Sequence, residues 1–269
     1  MKSLISRQVL SKRSEVSEEK PVKEKTEEIQ QGIYLLRGEG SGSHSYLVRG
    51  SSRNILIDSG LDNNYLHLQE QLSNLGLKAK NIDVVLNTHE HLDHIGSNRY
   101  FQETSLIAAH RFAATKITLG DHYVTFYRSR DLNEVPMHVH LWLENRSLFD
   151  LGSHILEVIH TPGHTSGSIC VYEFNTKVLF SGDTVFAGGT LSYIAESGSV
   201  GDYVNSIVRL EARKISEIYP GHGDISRTPE QDLSQAITNA KKLLKGEQTL
   251  SVSPFRPPVY GRAIELEGR

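Results

Sequence analysis

Thr88-His89-Glu90-His91-Leu92-Asp93-His94-Ile95-Gly96 sets three histidines and an aspartate in the order His-x-His-x-Asp-His. The run before it, Ile82-Asp83-Val84-Val85-Leu86-Asn87, is apolar at its centre and ends at polar residues, which predicts a buried strand. The histidines then fall in a loop at the C-terminal end of that strand, where open α/β sheets place their chemistry. Imidazole and carboxylate groups are ligands for zinc and other first-row metals. One ion takes about three or four protein ligands. Four such groups this close in sequence are too crowded to surround one ion, so two neighbouring metals are expected. A lone histidine would carry little weight in a chain with 13 of them. The ordered pattern carries much more.

On the N-terminal side, residues 1–28 are polar and close in a charged run from Glu18 to Glu28. They read as a disordered or loosely helical arm. Strands are predicted at 33–36, 45–48 and 55–57, with turns at 38–42 and 51–54, as an antiparallel meander. The third strand runs into Asp58-Ser59-Gly60. Asp62 is placed to cap a helix whose apolar side is Leu66, Leu68, Leu72 and Leu75, and Gly76 suits its C-terminal end.

On the C-terminal side, a short helix is expected over 94–101 and a strand over 106–109. Residues 110–145 hold Phe112, Tyr123, Phe126, Tyr127, Met137 and Trp142 without a clean period. They are expected to form an insertion leaning over the site as a lid, with Phe126 and Tyr127 touching substrate. His138 and His140 share one face if extended, and read as surface histidines. An alternating strand at 155–159 ends at His160-Thr161-Pro162-Gly163-His164-Thr165. A hairpin of 168–174 and 178–180 ends at Ser181-Gly182-Asp183-Thr184. A helix is expected after Gly201. A strand at 215–219 ends at Pro220-Gly221-His222-Gly223. A last helix starts at Thr228-Pro229-Glu230. The expected organisation is an arm at 1–28, one domain at 29–245 and a tail at 246–269.

The formal net charge of the 269-residue chain is -3, which argues against a protein built to grip nucleic acid or an acidic membrane. No apolar run approaches a membrane span. The one cysteine, Cys170, lies in an apolar run. It reads as a core residue and fits a reducing compartment. The first thirteen residues carry Lys2, Arg7, Lys12 and Arg13 with no acid. They are read as a ragged N-terminus, with an organelle transit peptide as the alternative. The cytoplasm is therefore the expected location, and a mitochondrial or other organelle matrix the alternative. The expected partner is a small-molecule substrate, not a membrane; a homodimer is left open.

Taken in order, Asp58-Ser59-Gly60, the 88–94 signature, Thr161-Pro162-Gly163-His164-Thr165, Ser181-Gly182-Asp183-Thr184 and Pro220-Gly221-His222-Gly223 resemble the metallo-β-lactamase superfamily of hydrolases. The matches span about residues 33–245. The resemblance implies an α/β fold, the αβ/βα sandwich, with two mixed sheets face to face and helices on both outer faces. It also implies a dinuclear centre in which His89, His91 and His164 hold one metal and Asp93, His94 and His222 the other. Asp183 would bridge the two, and Asp58 would orient the ligands. Two divalent ions per chain are expected, zinc first, with iron or manganese as alternatives. Such a pair shares a water and lowers its pKa, so that hydroxide attacks an electrophilic centre. Asp93 would receive or steer the proton. Glu90 is the rival base, as in His-Glu-x-x-His proteases, but the loop setting and the two-residue spacing make it a structural residue.

Subfamilies differ around this centre. In the β-lactamases proper a Cys commonly stands where this chain has Asp183, which points away from antibiotic hydrolysis. Hydroxyacylglutathione hydrolases of the glyoxalase system share the ligand set but resemble one another in a Gly-Cys-Gly-Arg segment, where this chain has Phe186-Ala187-Gly188-Gly189-Thr190-Leu191. Acyl-homoserine lactone lactonases place a Tyr where this chain has Phe186, and Tyr193 is the candidate substitute. The expected activity is hydrolysis of a small ester, lactone or thioester. The alternatives are a metal-dependent endoribonuclease and an iron-dependent sulfur dioxygenase.

Overall fold

The computed structural model describes residues 26–126 and 136–247. Residues 1–25 of the expected arm, Tyr127, and the tail from 248 lie outside the described residues. Two mixed sheets stack face to face. The first has seven strands in chain order: β1 (Glu27–Gln30), β2 (Ile33–Leu36), β3 (Ser45–Arg49), β4 (Asn54–Ile57), β5 (Val84–Asn87), β6 (Leu106–His110) and β7 (Leu141–Leu143). The meander β1 to β4 is antiparallel, and β4 to β7 are parallel. The second sheet has β8 (Leu148–Asp150), β9 (Ile155–His160), β10 (Ile169–Glu173), β11 (Val178–Gly182) and β12 (Glu217–Pro220). Its last pair, β11 and β12, is parallel.

Side chains alternate across a strand, and here both faces are covered. Ile55, Ile57, Val84 and Leu86 point into the layer between the sheets, where they meet Val158, Val171 and Phe180 of the second sheet. Leu56 and Val85 point the other way, onto Leu68 and Leu72 of helix α1 (Tyr65–Asn74). Ile159, Cys170 and Leu179 face outward onto the helices of the second sheet. Burial on both faces is why these strands read as continuous apolar runs.

The remaining helices are α2 (Leu92–Ile95), α3 (Arg111–Thr118), α4 (His122–Thr125), α5 (Val200–Glu211) and α6 (Pro229–Leu244). Helices α1 and α3 cover the first sheet, and α5 and α6 cover the second through Tyr203, Ile207, Leu210, Leu233, Ala236 and Ile237. The two sheets and their two helical layers form the expected αβ/βα sandwich. Among the described residues no helix is long and apolar enough to cross a membrane.

Several local expectations need correction. Glu27 and Glu28, placed in the arm, pair with β2 as an edge strand. The charges are tolerated there because an edge strand keeps one side in water. Leu66 is exposed at 74%, because the helix proper starts at Tyr65 after a 3-10 turn and its buried side becomes Leu68, Gln71 and Leu72. The 110–145 stretch supplies more scaffold than expected: β7 completes the first sheet, and Ala113, Ala114, Ile117, Met137 and Val139 enter its core. His140 Nδ1 accepts the backbone N–H of Ile107 at 3.0 Å, which commits that ring to the backbone.

Candidate metal centre

The seven expected ligands come together at one end of the two sheets, each from a segment that follows a strand. His89 and His91 follow β5, Asp93 and His94 lie in α2, His164 follows β9, Asp183 follows β11 and His222 follows β12. All seven are buried. Three triads have ligand atoms within 4.8 Å of one another: His89, His91 and His164; Asp93, His94 and His222; and His89, His94 and Asp183.

In the first triad His89 Nε2 and His164 Nε2 lie 3.1 and 3.0 Å from His91 Nδ1. For His164 and His89 the outer face of the ring explains which nitrogen points inward. His164 Nδ1 donates to the carbonyl of Tyr193 at 2.7 Å, so its Nε2 carries the inward lone pair. Thr88 Oγ1 gives its proton to Asp58 Oδ2 at 2.8 Å and therefore accepts from His89 Nδ1 at 3.1 Å. In the second triad His94 Nδ1 donates to Asp58 Oδ2 at 2.8 Å, and His222 Nε2 stands 3.0 Å from Asp93 Oδ2. Asp183 lies between them. Its Oδ1 is 3.3 Å from His94 Nε2 and 3.8 Å from His222 Nε2, while its Oδ2 is 3.8 Å from His164 Nε2.

This donor set suits cations. Asp93 Oδ1, His94 Nε2 and Asp183 Oδ1 are buried without a hydrogen-bond partner. Such atoms are costly unless something else satisfies them. Burial, then the neighbouring His94 ring, holds His89 well below the ordinary imidazole range. Burial, then His164, does the same for His91, and burial also lowers His164. These rings are therefore neutral near pH 7, as metal ligation requires. His94 behaves oppositely. Burial pulls it down, but Asp58, Asp183 and Asp93 outweigh burial and raise it well above the usual value. Burial alone would raise both Asp93 and Asp183, yet the His94 and His222 rings hold them below the carboxylate range. Together the clusters make a site suited to two metal ions, with nitrogen and oxygen ligands only.

The glycines at the strand ends are needed for closeness. A Cβ on Gly221 would lie 2.6 Å from His94 Cε1 and 2.7 Å from Asp183 Oδ1. Gly182 takes a φ of +50°, and a Cβ there would lie 2.6 Å from Thr88 Oγ1. Asp58 pays a conformational cost: it holds a left-handed φ of 58° while bonding Thr88 N, Thr88 Oγ1 and His94 Nδ1.

Aromatic rings stand beside the expected ligands. The Phe126 ring is 5.1 Å from His91, and Tyr193 lies parallel to His91 at 6.0 Å and edge-on to His164 at 5.0 Å. Phe186 meets His222 at 6.5 Å. Of the other aromatic residues expected over the cleft, Tyr123 and Trp142 are exposed, at 72% and 52%. Met137 is core. Phe126 itself takes a left-handed φ of 57° as it leaves α4.

The supporting residues were less legible. Asn87 and Asn98 exchange side-chain hydrogen bonds at 3.2 and 2.8 Å behind the histidine loop, and Ser59 Oγ joins them at 2.9 Å. Tyr203 of α5 gives its hydroxyl to the carbonyl of Thr184 at 2.6 Å, beside Asp183. Lys116 of α3 reaches Glu90 at 2.8 Å. Tyr203, Asn98 and Lys116 carried no local signal in the sequence for these contacts.

With this geometry in place, comparison with known proteins identifies the family. Residues 38–222 match the family described as the metallo-beta-lactamase superfamily. The chain belongs to the metallo-beta-lactamase superfamily. It is a metal-dependent hydrolase of that superfamily. It is 36% identical over 205 residues to a probable metallo-hydrolase of Methanocaldococcus jannaschii, covering 72% of this chain and 93% of that one. It is 32% identical over 208 residues to an acyl-coenzyme A thioesterase of Gallus gallus, covering 68% and 73%. A solved metallo-beta-lactamase of Cronobacter sakazakii superposes with a TM-score of 0.68 at 21% identity, over 83% of this chain and 98% of that one. That likeness carries the fold.

Proposed function

We propose that the chain hydrolyses a small acyl ester or thioester, cyclic esters included, at two metal ions. His89, His91 and His164 would hold one ion, Asp93, His94 and His222 the other, and Asp183 stands between the two groups. Zinc is the first choice, with iron or manganese accepted by the same nitrogen and oxygen ligands. Two divalent ions bound there would supply an acidified water and Lewis-acid polarisation of a carbonyl. The chain contributes orientation. Asp58, Thr88 and the Tyr193 carbonyl fix the ligand rings so that their lone pairs face inward. Asp93 takes the proton steering role: its Oδ2 faces His222, and its buried Oδ1 has no hydrogen-bond partner.

The observation that carries the acyl reading is the aromatic flank of Phe126, Tyr193 and Phe186 against the ligand histidines. An acyl chain gains by leaving water for such a surface. The name of the Gallus gallus relative supports a thioester among the acyl substrates. So does that of a hydroxyacylglutathione hydrolase of Pelagibacter ubique, 27% identical over 183 residues. The test is a panel of a short-chain acyl thioester, a lactone, single-stranded RNA and a persulfide, each given to metal-loaded protein. Turnover of an acyl substrate is expected to exceed the others greatly. Faster cleavage of RNA, or oxygen uptake with the persulfide, would replace this reading by the endoribonuclease or the sulfur dioxygenase.

A further inference from the structure

Glu90 sits between two ligand histidines, yet it points away from them. It is fully buried. Its Oε1 accepts from Lys116 Nζ at 2.8 Å and from Ser197 Oγ at 3.1 Å, and its Oε2 accepts from Thr165 Oγ1 at 2.9 Å. Lys116 Nζ also donates to Ser166 Oγ at 2.6 Å. Both carboxylate oxygens thus take hydrogen bonds from side chains outside the histidine cluster. One side chain ties together the histidine loop, α3, the turn that follows His164, and the segment around Ser197. A Cβ on Gly167 would lie 2.5 Å from Glu90 Oε2, so that turn is packed directly on the carboxylate.

The tied segments are those that build the first triad and its aromatic flank. Thr165 adjoins His164. Ala195 N donates to the His164 carbonyl at 2.9 Å, and His164 Nδ1 to the Tyr193 carbonyl at 2.7 Å. A buried ion pair is a poor way to stabilise a fold, because apolar residues of the same size often do as well. What it supplies is direction, through hydrogen bonds of fixed geometry.

We propose that the Glu90–Lys116 pair is a positioning device, which sets His91 against His164 and holds the Tyr193 side of the substrate flank in register with them. Glu90 and Lys116 act through the histidines and touch neither metal nor substrate. The inference rests on the two-metal reading of the site.

The test uses the full chain with Glu90→Gln and Lys116→Met, and with Thr165→Val and Ser197→Ala as milder variants that each remove one hydroxyl from the carboxylate. Cobalt(II) is titrated into chelator-treated protein and followed by its visible absorption, and kcat and KM are measured on the best acyl substrate. Glu90→Gln is expected to weaken one of the two ions by about 10–100-fold, the usual effect of losing a group that orients a ligand. The other ion should bind as in the wild type. At saturating metal kcat should recover while KM stays raised, because the flank remains displaced. If Glu90→Gln fails to fold, Thr165→Val and Ser197→Ala should show the same pattern with smaller changes. Two ions bound as in the wild type with unchanged KM, and only a lower melting temperature, would overturn the inference and leave the metal centre standing. A wild-type protein that binds no cobalt would overturn both.

Discussion

Asp58 Oδ2 lies 2.8 Å from His94 Nδ1, and Asp58 adopts a left-handed backbone to reach it. The same carboxylate bonds the backbone and hydroxyl of Thr88, so one acid fixes both the second-triad ring and the start of the histidine loop. Asp58→Asn keeps the shape but loses the charge that favours an Nδ1–H on His94. It should weaken binding of the ion expected at His94 by about 10–100-fold. Competition with a chelator of known affinity measures this directly, and unchanged affinity would show that Asp58 serves only the backbone.

Asp183 turns one oxygen towards His94 and the other towards His164. Asp183→Ala should therefore lower occupancy at both positions, whereas His222→Ala should empty one and spare the other. Elemental analysis of the two purified variants decides it. Equal losses would mean that Asp183 belongs to one ion only.

Metal uptake should release protons. Without metal, three carboxylates hold His94 protonated above the usual imidazole range. A raised pKa means that this contribution to the stability of the metal-free protein is complete below about pH 6.5 and lost as pH rises through the folded value. Metal must displace that proton. Calorimetric titration in buffers of different ionisation heat should show net proton release near pH 7, and affinity should fall as the solution is acidified. Uptake with no proton release would contradict the assigned state of His94.

His110 gives a separate, metal-independent acid sensitivity. Burial, then the His160 ring stacked on it at 3.8 Å, lowers His110 to about 3. Its Nδ1 caps α3 by accepting Phe112 N–H at 3.4 Å. Between the unfolded value near 6.5 and the folded value, the unfolded chain holds a proton that the native chain does not, so stability falls with falling pH in that window. Above the window the group has no effect. His110→Asn keeps a capping oxygen and removes the titration. Chelator-treated variant should lose about 1–2 kcal/mol less than wild type between pH 7 and pH 5 in urea unfolding. Parallel losses would place the acid sensitivity elsewhere.

Phe126 holds a strained φ of 57° beside His91. Phe126→Ala should raise KM for an acyl substrate and leave metal content unchanged. Phe126→Gly should do the same with less loss of stability, because glycine accepts this conformation. If KM is unmoved and the melting temperature falls, Phe126 packs for the fold alone.

The seven residues that converge at the strand ends were readable from the chain because each sits in a short polar segment soon after an apolar strand. Residue type, local spacing and strand ends are all local properties. The same holds for α6, whose Pro229 start and apolar spacing match the observed helix, and for the apolar runs that became the stacked strands of the two sheets. The meander β2 to β4 was likewise legible, because short turns leave antiparallel pairing as the natural outcome.

Tertiary structure decided the rest. Nothing local distinguishes Met137, which enters the core, from Trp142, which stays half in water. Their fate depends on β7 joining β6 in parallel, and that pairing is set by the whole sheet. Leu66 and Leu68 are the same residue type on one helix, and only docking on the first sheet buries one of them. Glu90 could be called structural from the spacing of its neighbours, but its partners Lys116, Thr165 and Ser197 come from three distant segments. A buried charge takes whichever donors the fold brings to it, so its role is written in the packing of those segments and not in the residues beside it.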